Sequence, residues 1–252
     1  MHPILFSLGP LVIHSYGVMV AIGVWAAVTV LRRNAAKAGL DRDLAVNLAL
    51  AVIFFGFAGA RLFYVFLFWE YFSHVPLQIV QIWKGGIVLY GGMAGGLAAL
   101  WVVTKMKGQS FLEWLDLFLP PIALAQGFGR IGCFLNGCCY GTASSLPWAV
   151  SFPFLEGRVH PTQLYESLFC FALAAFLLVL WGKRPKPGVV SAAYFFGYAL
   201  GRFVLELVRG DNPKLVLGLT LPQAVSVLVM VLSVFLLIRQ VRNERKRDYR
   251  CS

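Results

Sequence analysis

The chain has 252 residues, 59% of them hydrophobic and only 13% charged, with a mean hydropathy of +0.75, whereas soluble domains are about one-quarter charged. This balance excludes an ordinary soluble domain and points to an integral membrane protein. The net charge of +11 comes largely from short connections and the tail, where membrane topology explains it, so nucleic acid is not expected as a partner.

The N-terminal stretch MHPILFSLGPLVIHSYG lacks a basic leader and a small-residue cleavage site, so it does not read as a signal peptide. The first span is therefore expected in the mature protein. Seven apolar segments follow, at about 12–31, 44–69, 86–104, 111–130, 163–181, 187–208 and 220–238, each close to the roughly 20 residues a membrane-spanning helix needs. The expected fold is an all-α integral membrane protein of seven transmembrane helices. It forms a single domain over 1–252, with a basic tail over 239–252.

Lys and Arg alternate between the connections. Arg32, Arg33, Lys37, Arg42, Lys105, Lys107, Lys183, Arg184, Lys186, Arg239, Arg242, Arg245, Lys246, Arg247 and Arg250 fall on one side, and only Lys84, Arg158, Arg209 and Lys214 on the other. The positive-inside rule then puts the N-terminus outside and the C-terminus in the cytoplasm.

The first segment opens on HSYG with His14 and Tyr16, and the second carries Arg61 in GARLFY. The third contains GGIVLYGGMAGG, where Gly95 and Gly96 read as close helix packing. Tyr90, Gly91 and Gly92 fall on its outer half, level with Arg130 by this topology. Pro120 and Pro121 are expected to kink or break the fourth segment. That segment ends in QGFGRIGCFLNGCCYG, an arginine and an asparagine among five glycines. Arg130 is costly in hydrocarbon, by a few kcal/mol or more, unless paired or wetted. The alternative is a helix-end arginine snorkelling to the headgroups. In the sixth segment, Arg202 and Glu206 stand four apart and can pair on one helical face.

The outer half of the bundle thus gathers Tyr16, Tyr90, Arg130, Asn136, Tyr198, Arg202 and Glu206. Several guanidinium groups without an acidic cluster suit an anionic, phosphate-bearing lipid headgroup. No cofactor is expected. Cys133, Cys138 and Cys139 form a C-x4-C-C run with three sulfurs and no C-x2-C pair, so no metal is expected. A disulfide on the oxidising face and free buried thiols remain the two readings. His14, His74 and His160 read as surface or packing residues. No GxSxG, HExxH, Walker or dinucleotide fingerprint occurs, which leaves hydrolase, zincin and nucleotide chemistry without support.

Together HSYG at 14–17, GARLFYV at 59–65, YGGMAGG at 90–96, GRIGCFLNGCCYG at 129–141, HPTQLYE at 160–166 and GRFVLELVR at 201–209 resemble the prolipoprotein diacylglyceryl transferases. The match follows chain order over most of the length. The resemblance implies transfer of the diacylglyceryl group of phosphatidylglycerol to the lipobox cysteine of a prolipoprotein, releasing glycerol phosphate, in a bacterial inner membrane. It makes Arg130 the signature phosphatidylglycerol-binding arginine and Arg202 the essential arginine of the sixth segment. Tyr16, Asn136, Gly141, Tyr198, Glu206 and Arg209 also match.

Two departures stand out. Tyr90 occupies the place of a histidine proposed as base for the thiol, and Cys133 and Cys138 replace an asparagine and a glutamate common in the glycine-rich loop. A phenol with an ordinary pKa near 10 is a poor base at neutral pH, so Tyr90 is expected to position the lipid. The expected chemistry is direct displacement by the acceptor thiolate at the glyceryl carbon bearing the phosphate. A thioether formed on an enzyme cysteine would be a very poor leaving group, so no lipid adduct on Cys133, Cys138 or Cys139 is expected. Two competitors remain: a same-fold transferase with another acceptor, suggested by Tyr90 and the cysteines, and a small-molecule transporter, which would carry inverted repeats.

Overall fold

The computed structural model describes the chain except Met1, Gly9, Pro10, Gly210, Asp211, residues 213–217 and Ser252, together with the side chains of Leu8, Leu11, Lys84 and residues 240–251. Lys214 and most of the basic tail's side chains therefore lie outside the described residues. The elements in chain order are β1 (Ile4–Leu8), β2 (Leu11–His14), α1 (Ser15–Ala38), α2 (Arg42–Leu67), α3 (Trp69–His74), α4 (Leu89–Met106), α5 (Phe111–Asn136), β3 (Val150–Ser151), β4 (Arg158–Val159), α6 (Thr162–Gly182), α7 (Val189–Leu205) and α8 (Leu221–Cys251). Short 3-10 turns at Pro76–Val80, Ile82–Lys84 and Glu206–Val208 complete it. Two antiparallel hairpins, β1 with β2 and β3 with β4, qualify the all-α expectation. The first precedes α1, and the second lies in the connection between α5 and α6.

Six of the described helices are long and apolar enough to cross a membrane: those of α1, α2, α5 and α6, the α7 stretch Val189–Val208, and Leu221–Arg239 of α8. The third expected span, α4, is not among them. Its 18 residues include four glycines, which contribute little hydropathy. The apolar stripes outside the helix contacts are exposed, among them Trp25, Phe54, Phe66, Leu168 and Val179. Apolar surface this extensive fits lipid rather than water.

The chain divides into two compact units, Leu31–Leu115 on the one hand and Met1–Val30 with Asp116–Ser252 on the other. In the Leu31–Leu115 unit, Gly39 at φ +73° closes the last turn of α1, with Leu40 N–H bonding back to the Ala35 carbonyl at 2.9 Å. The Asp41 carboxylate then caps α2 by accepting from Asp43 N–H at 2.8 Å. Helices α2 and α4 pack through glycine. A Cβ on Gly59 or Gly91 would collide with the other's carbonyl oxygen, and one on Gly95 would collide with that of Phe55. This is the close approach that small-residue spacing permits.

In the other unit, α5 runs unbroken through Pro120 and Pro121, so the expected break does not occur. The two rings delete N–H donors to the Asp116 and Leu117 carbonyls, yet they lie among buried neighbours, Leu117, Leu119 and Ala123, that hold the helix in place. Asp116, buried on α5, accepts from the backbone N–H of Gly188 at 2.6 Å and of Ser191 at 2.7 Å, and from the Ser191 hydroxyl. It thus caps α7 from a neighbouring helix and fixes the rotation of the α7 face described next.

Candidate functional site: an arginine–carboxylate seam

Tyr194, Tyr198, Arg202 and Glu206 recur every four residues, so they fall on one face of α7 and the turn after it. Tyr194 donates to Gln126 Oε1 on α5 at 3.1 Å and stacks on Tyr198 with ring centroids 5.9 Å apart. Tyr198 donates to Glu166 Oε1 on α6 at 3.3 Å. Arg130, one turn beyond Gln126 on α5, meets the same oxygen at 3.0 Å. Three helices are thus joined by one polar seam. Glu166 is almost fully buried, with 4% of its side chain exposed, whereas Arg130 keeps 25%. A quarter of the Arg130 side chain therefore remains accessible.

At the end of the seam, Arg202 pairs with Glu206 at 2.8 Å, as the four-residue spacing predicts. The Glu206 carboxylate also accepts from Asn212 Nδ2 at 2.6 Å and Thr220 Oγ1 at 3.0 Å. Arg202 Nη1 is buried and has no hydrogen-bond partner among the described residues. A buried cationic N–H without an acceptor costs about 1–3 kcal/mol or more, a cost that an incoming anion would remove.

The glycine-rich stretch begins as helix. α5 continues to Asn136, six residues beyond the expected end, and closes with Gly137 at φ +79°. Gly137 N–H bonds to Phe134 O at 3.2 Å and Cys138 N–H to Cys133 O at 3.1 Å. This pair of bonds is a Schellman cap, and it folds the residue after the glycine back over the one five earlier. Cys139 then takes a left-handed φ of +65°, uncommon for a side-chain-bearing residue. The result brings the sulfurs of Cys133, Cys138 and Cys139 within 4.8 Å of one another. Spacing alone had given no reason to gather them. All three are free thiols. Hydrogen bonding from Cys133 holds the Cys139 thiol down at about 5, with help from the Arg209 and Arg130 charges. Burial, and then the charge of Cys139, pushes the Cys138 thiol up.

The other expected residues divide. Tyr16, exposed at the start of α1, packs on α5 at Gly132, where a Cβ would lie 3.0 Å from its ring. Asn136 is the exposed last residue of α5 and hydrogen-bonds towards Cys138. Gly141 is buried against the Val208 carbonyl, Thr162 and His160, where a Cβ would come within 2.6 Å. Its N–H bonds His160 O at 2.9 Å, so it ties the loop to α6 and the end of α7. The first turn of α6 grips the cysteine loop: Thr162 Oγ1 donates to Cys139 O at 2.8 Å and Gln163 Nε2 to Cys138 O at 2.6 Å. Tyr90, Gly91 and Gly92 belong to the Leu31–Leu115 unit. Tyr90 is 57% exposed at the start of α4. Gly91 is filled by Gly59 and Phe63, so packing rather than a ligand accounts for its missing side chain.

Glu166 was not among the expected site residues, although an acid inside an apolar segment is itself a signal that it needs a partner. Gln126, Asn212 and Thr220 carry no such signal.

Six helices long and apolar enough to cross a membrane define a multi-pass membrane protein. The family model for prolipoprotein diacylglyceryl transferase matches residues 3–239. Three curated relatives carry the name phosphatidylglycerol–prolipoprotein diacylglyceryl transferase. That of Clostridium tetani is 40% identical over 93% of this chain and 96% of its own length. That of Bacillus velezensis is 36% identical over 98% and 96%, and that of Staphylococcus aureus strain Newman 35% over 94% and 88%. The chain belongs to the prolipoprotein diacylglyceryl transferase family.

Proposed function

We propose that this protein transfers the diacylglyceryl group of phosphatidylglycerol to the lipobox cysteine thiol of prolipoproteins, releasing glycerol phosphate, in a bacterial inner membrane. The observation that carries the reading is the buried Nη1 of Arg202, without a hydrogen-bond partner among the described residues, together with the partial exposure of the Arg130 side chain. Both suit a phosphate that gains charge as it leaves. The acceptor thiolate attacks the glyceryl carbon, the C–S bond forms as the C–O bond breaks, and the electron pair departs on the phosphate oxygen. Preorganised donors at developing charge contribute several kcal/mol to such a step. Glu166 and Glu206 hold the two arginines in place. Tyr198 shares Glu166 with Arg130, while Tyr16, Asn136 and Arg209 extend the polar surface towards the headgroup, and Tyr90 positions the lipid as a donor.

The same proposal makes α4 a seventh span. It places the N-terminus outside and the C-terminus in the cytoplasm, with residues 1–252 acting as one membrane domain; the partition of basic residues supports this. The test is incubation of purified protein with labelled phosphatidylglycerol and a lipobox peptide, followed by mass spectrometry of the peptide. A diacylglyceryl adduct on its cysteine is the expected result. Lipid consumed while the peptide stays unmodified would mean another acceptor.

A further inference from the structure

The three-cysteine cluster is not used by the seam, and its geometry is specific. The Schellman cap sets Cys138 over Cys133, and the left-handed turn at Cys139 brings in the third sulfur, so three residues on a C-x4-C-C spacing converge within 4.8 Å. Three sulfurs bound at about 2.3 Å to one ion stand roughly 4 Å apart, which this cluster reaches with a small inward shift. Backbone held in a sparsely populated region persists where surrounding contacts over-determine it. Here Thr162 and Gln163 clamp the carbonyls of Cys139 and Cys138. Arg209 and Arg130 act electrostatically on Cys139, and their positive charge suits an anionic metal–thiolate group.

We propose that Cys133, Cys138 and Cys139 bind one thiophilic d10 metal ion of the zinc class, and that its remaining coordination position takes the acceptor thiol as a thiolate. The second part rests on the transferase reading above. Closed structural zinc sites use four protein ligands, and sites with three keep a position for water or substrate. A thiol that coordinates such an ion loses its proton outright, and metal coordination is one of the ways a weak nucleophile is activated. The carboxylates of the seam are committed to Arg130 and Arg202, so this route gives the acceptor's proton somewhere to go without them. The balance is simple. Binding of the divalent ion releases the protons that the three sulfurs still carry, and binding of the acceptor releases one more to solvent. The metal-bound sulfur then forms the C–S bond as the phosphate leaves with the C–O electron pair, and no oxidant or reductant takes part.

The test uses the full-length protein, purified in detergent under reductant and stripped of metal. Titration with Cd2+, followed by the ultraviolet cadmium–thiolate absorption, is expected to saturate at about one ion per chain. Zn2+ should compete for the same site. Cys133→Ser, Cys138→Ser and Cys139→Ser should each weaken retention at least about tenfold. A lipobox peptide should then raise the thiolate absorption by about one-third, and its serine counterpart should not. Stripped enzyme should transfer at least about tenfold more slowly and recover with one equivalent of Zn2+. Failure to saturate with three titratable thiols present, or an intact mass two hydrogens short from a disulfide, would overturn the metal site. Saturable binding with transfer equally fast in stripped and loaded protein would overturn the activation step and leave the transferase reading intact. Saturable binding with no transfer under any condition would instead fail the transferase reading while the metal site stands.

Discussion

Arg61, which is buried, and Arg202, which is half-buried with 17% of its side chain exposed, both stand at helix positions where a charge is expensive, and they differ in how their donors are spent. Arg61, on α2, gives Nε to Ile79 O at 2.8 Å, Nη2 to Gln78 O at 2.5 Å, and Nη1 to Gly85 O at 2.6 Å and Gly86 O at 3.0 Å. The Tyr64 and Phe72 rings lie 5.7 and 5.2 Å from its charge centre. Every face of that guanidinium has an internal use, and its work is to fold the connection between α3 and α4. Arg202 faces a carboxylate already held by Asn212 and Thr220, and its Nη1 has no acceptor among the described residues. A buried arginine is therefore a candidate site only when some of its donors remain unspent.

The comparison is broken most directly by removing the seam arginines. Arg202→Ala and Arg130→Ala should lower transfer by a hundredfold or more, on the order of 3 kcal/mol, because stabilisation of the leaving phosphate is lost in a water-poor site. The measurement is initial rate per folded molecule, with folding checked by gel filtration in detergent. Arg61→Ala should act on stability instead. It leaves four carbonyls without their donor and should cost about 2–3 kcal/mol, seen as a lower thermal midpoint, while transfer per folded molecule stays within about threefold.

Gly91→Ala sharpens the same division on the packing side. Its new methyl meets the Gly59 carbonyl and should destabilise by about 1–3 kcal/mol. Gly92→Ala, whose Cβ would find ordinary contacts at 3.4 Å, should be nearly neutral in the same thermal assay. Tyr90→Phe is the smallest expected effect. It should slow transfer by about fivefold, near 1 kcal/mol, with an unchanged pH profile. Activity abolished and then restored only at high pH would make the phenol a base instead.

The helices were legible because long apolar runs have few alternatives, and every expected segment contains a helix at nearly the expected place. The Arg202–Glu206 pair was legible for a similar reason, since a four-residue spacing on a helix fixes the geometry locally. What sequence did not reveal depends on contacts between distant segments. Glu166 reaches Arg130 only because α5, α6 and α7 pack together. The cysteine cluster depends on where α5 stops, and the continuation to Asn136 with Gly137 as the capping residue turned a dispersed spacing into three adjacent sulfurs. Pro120 and Pro121 do not break α5, because the buried side chains around them hold the helix against their local preference.

The central claim is that the unspent donors of the seam, and not buried arginine as such, hold the lipid phosphate. It is tested by mass spectrometry of a lipobox peptide incubated with phosphatidylglycerol and wild-type, Arg202→Ala or Arg61→Ala protein at matched folded concentration. The account predicts comparable diacylglyceryl adduct with wild type and Arg61→Ala, and at least about a hundredfold less with Arg202→Ala. Adduct from Arg202→Ala within tenfold of wild type, or equal loss in both variants, would contradict it.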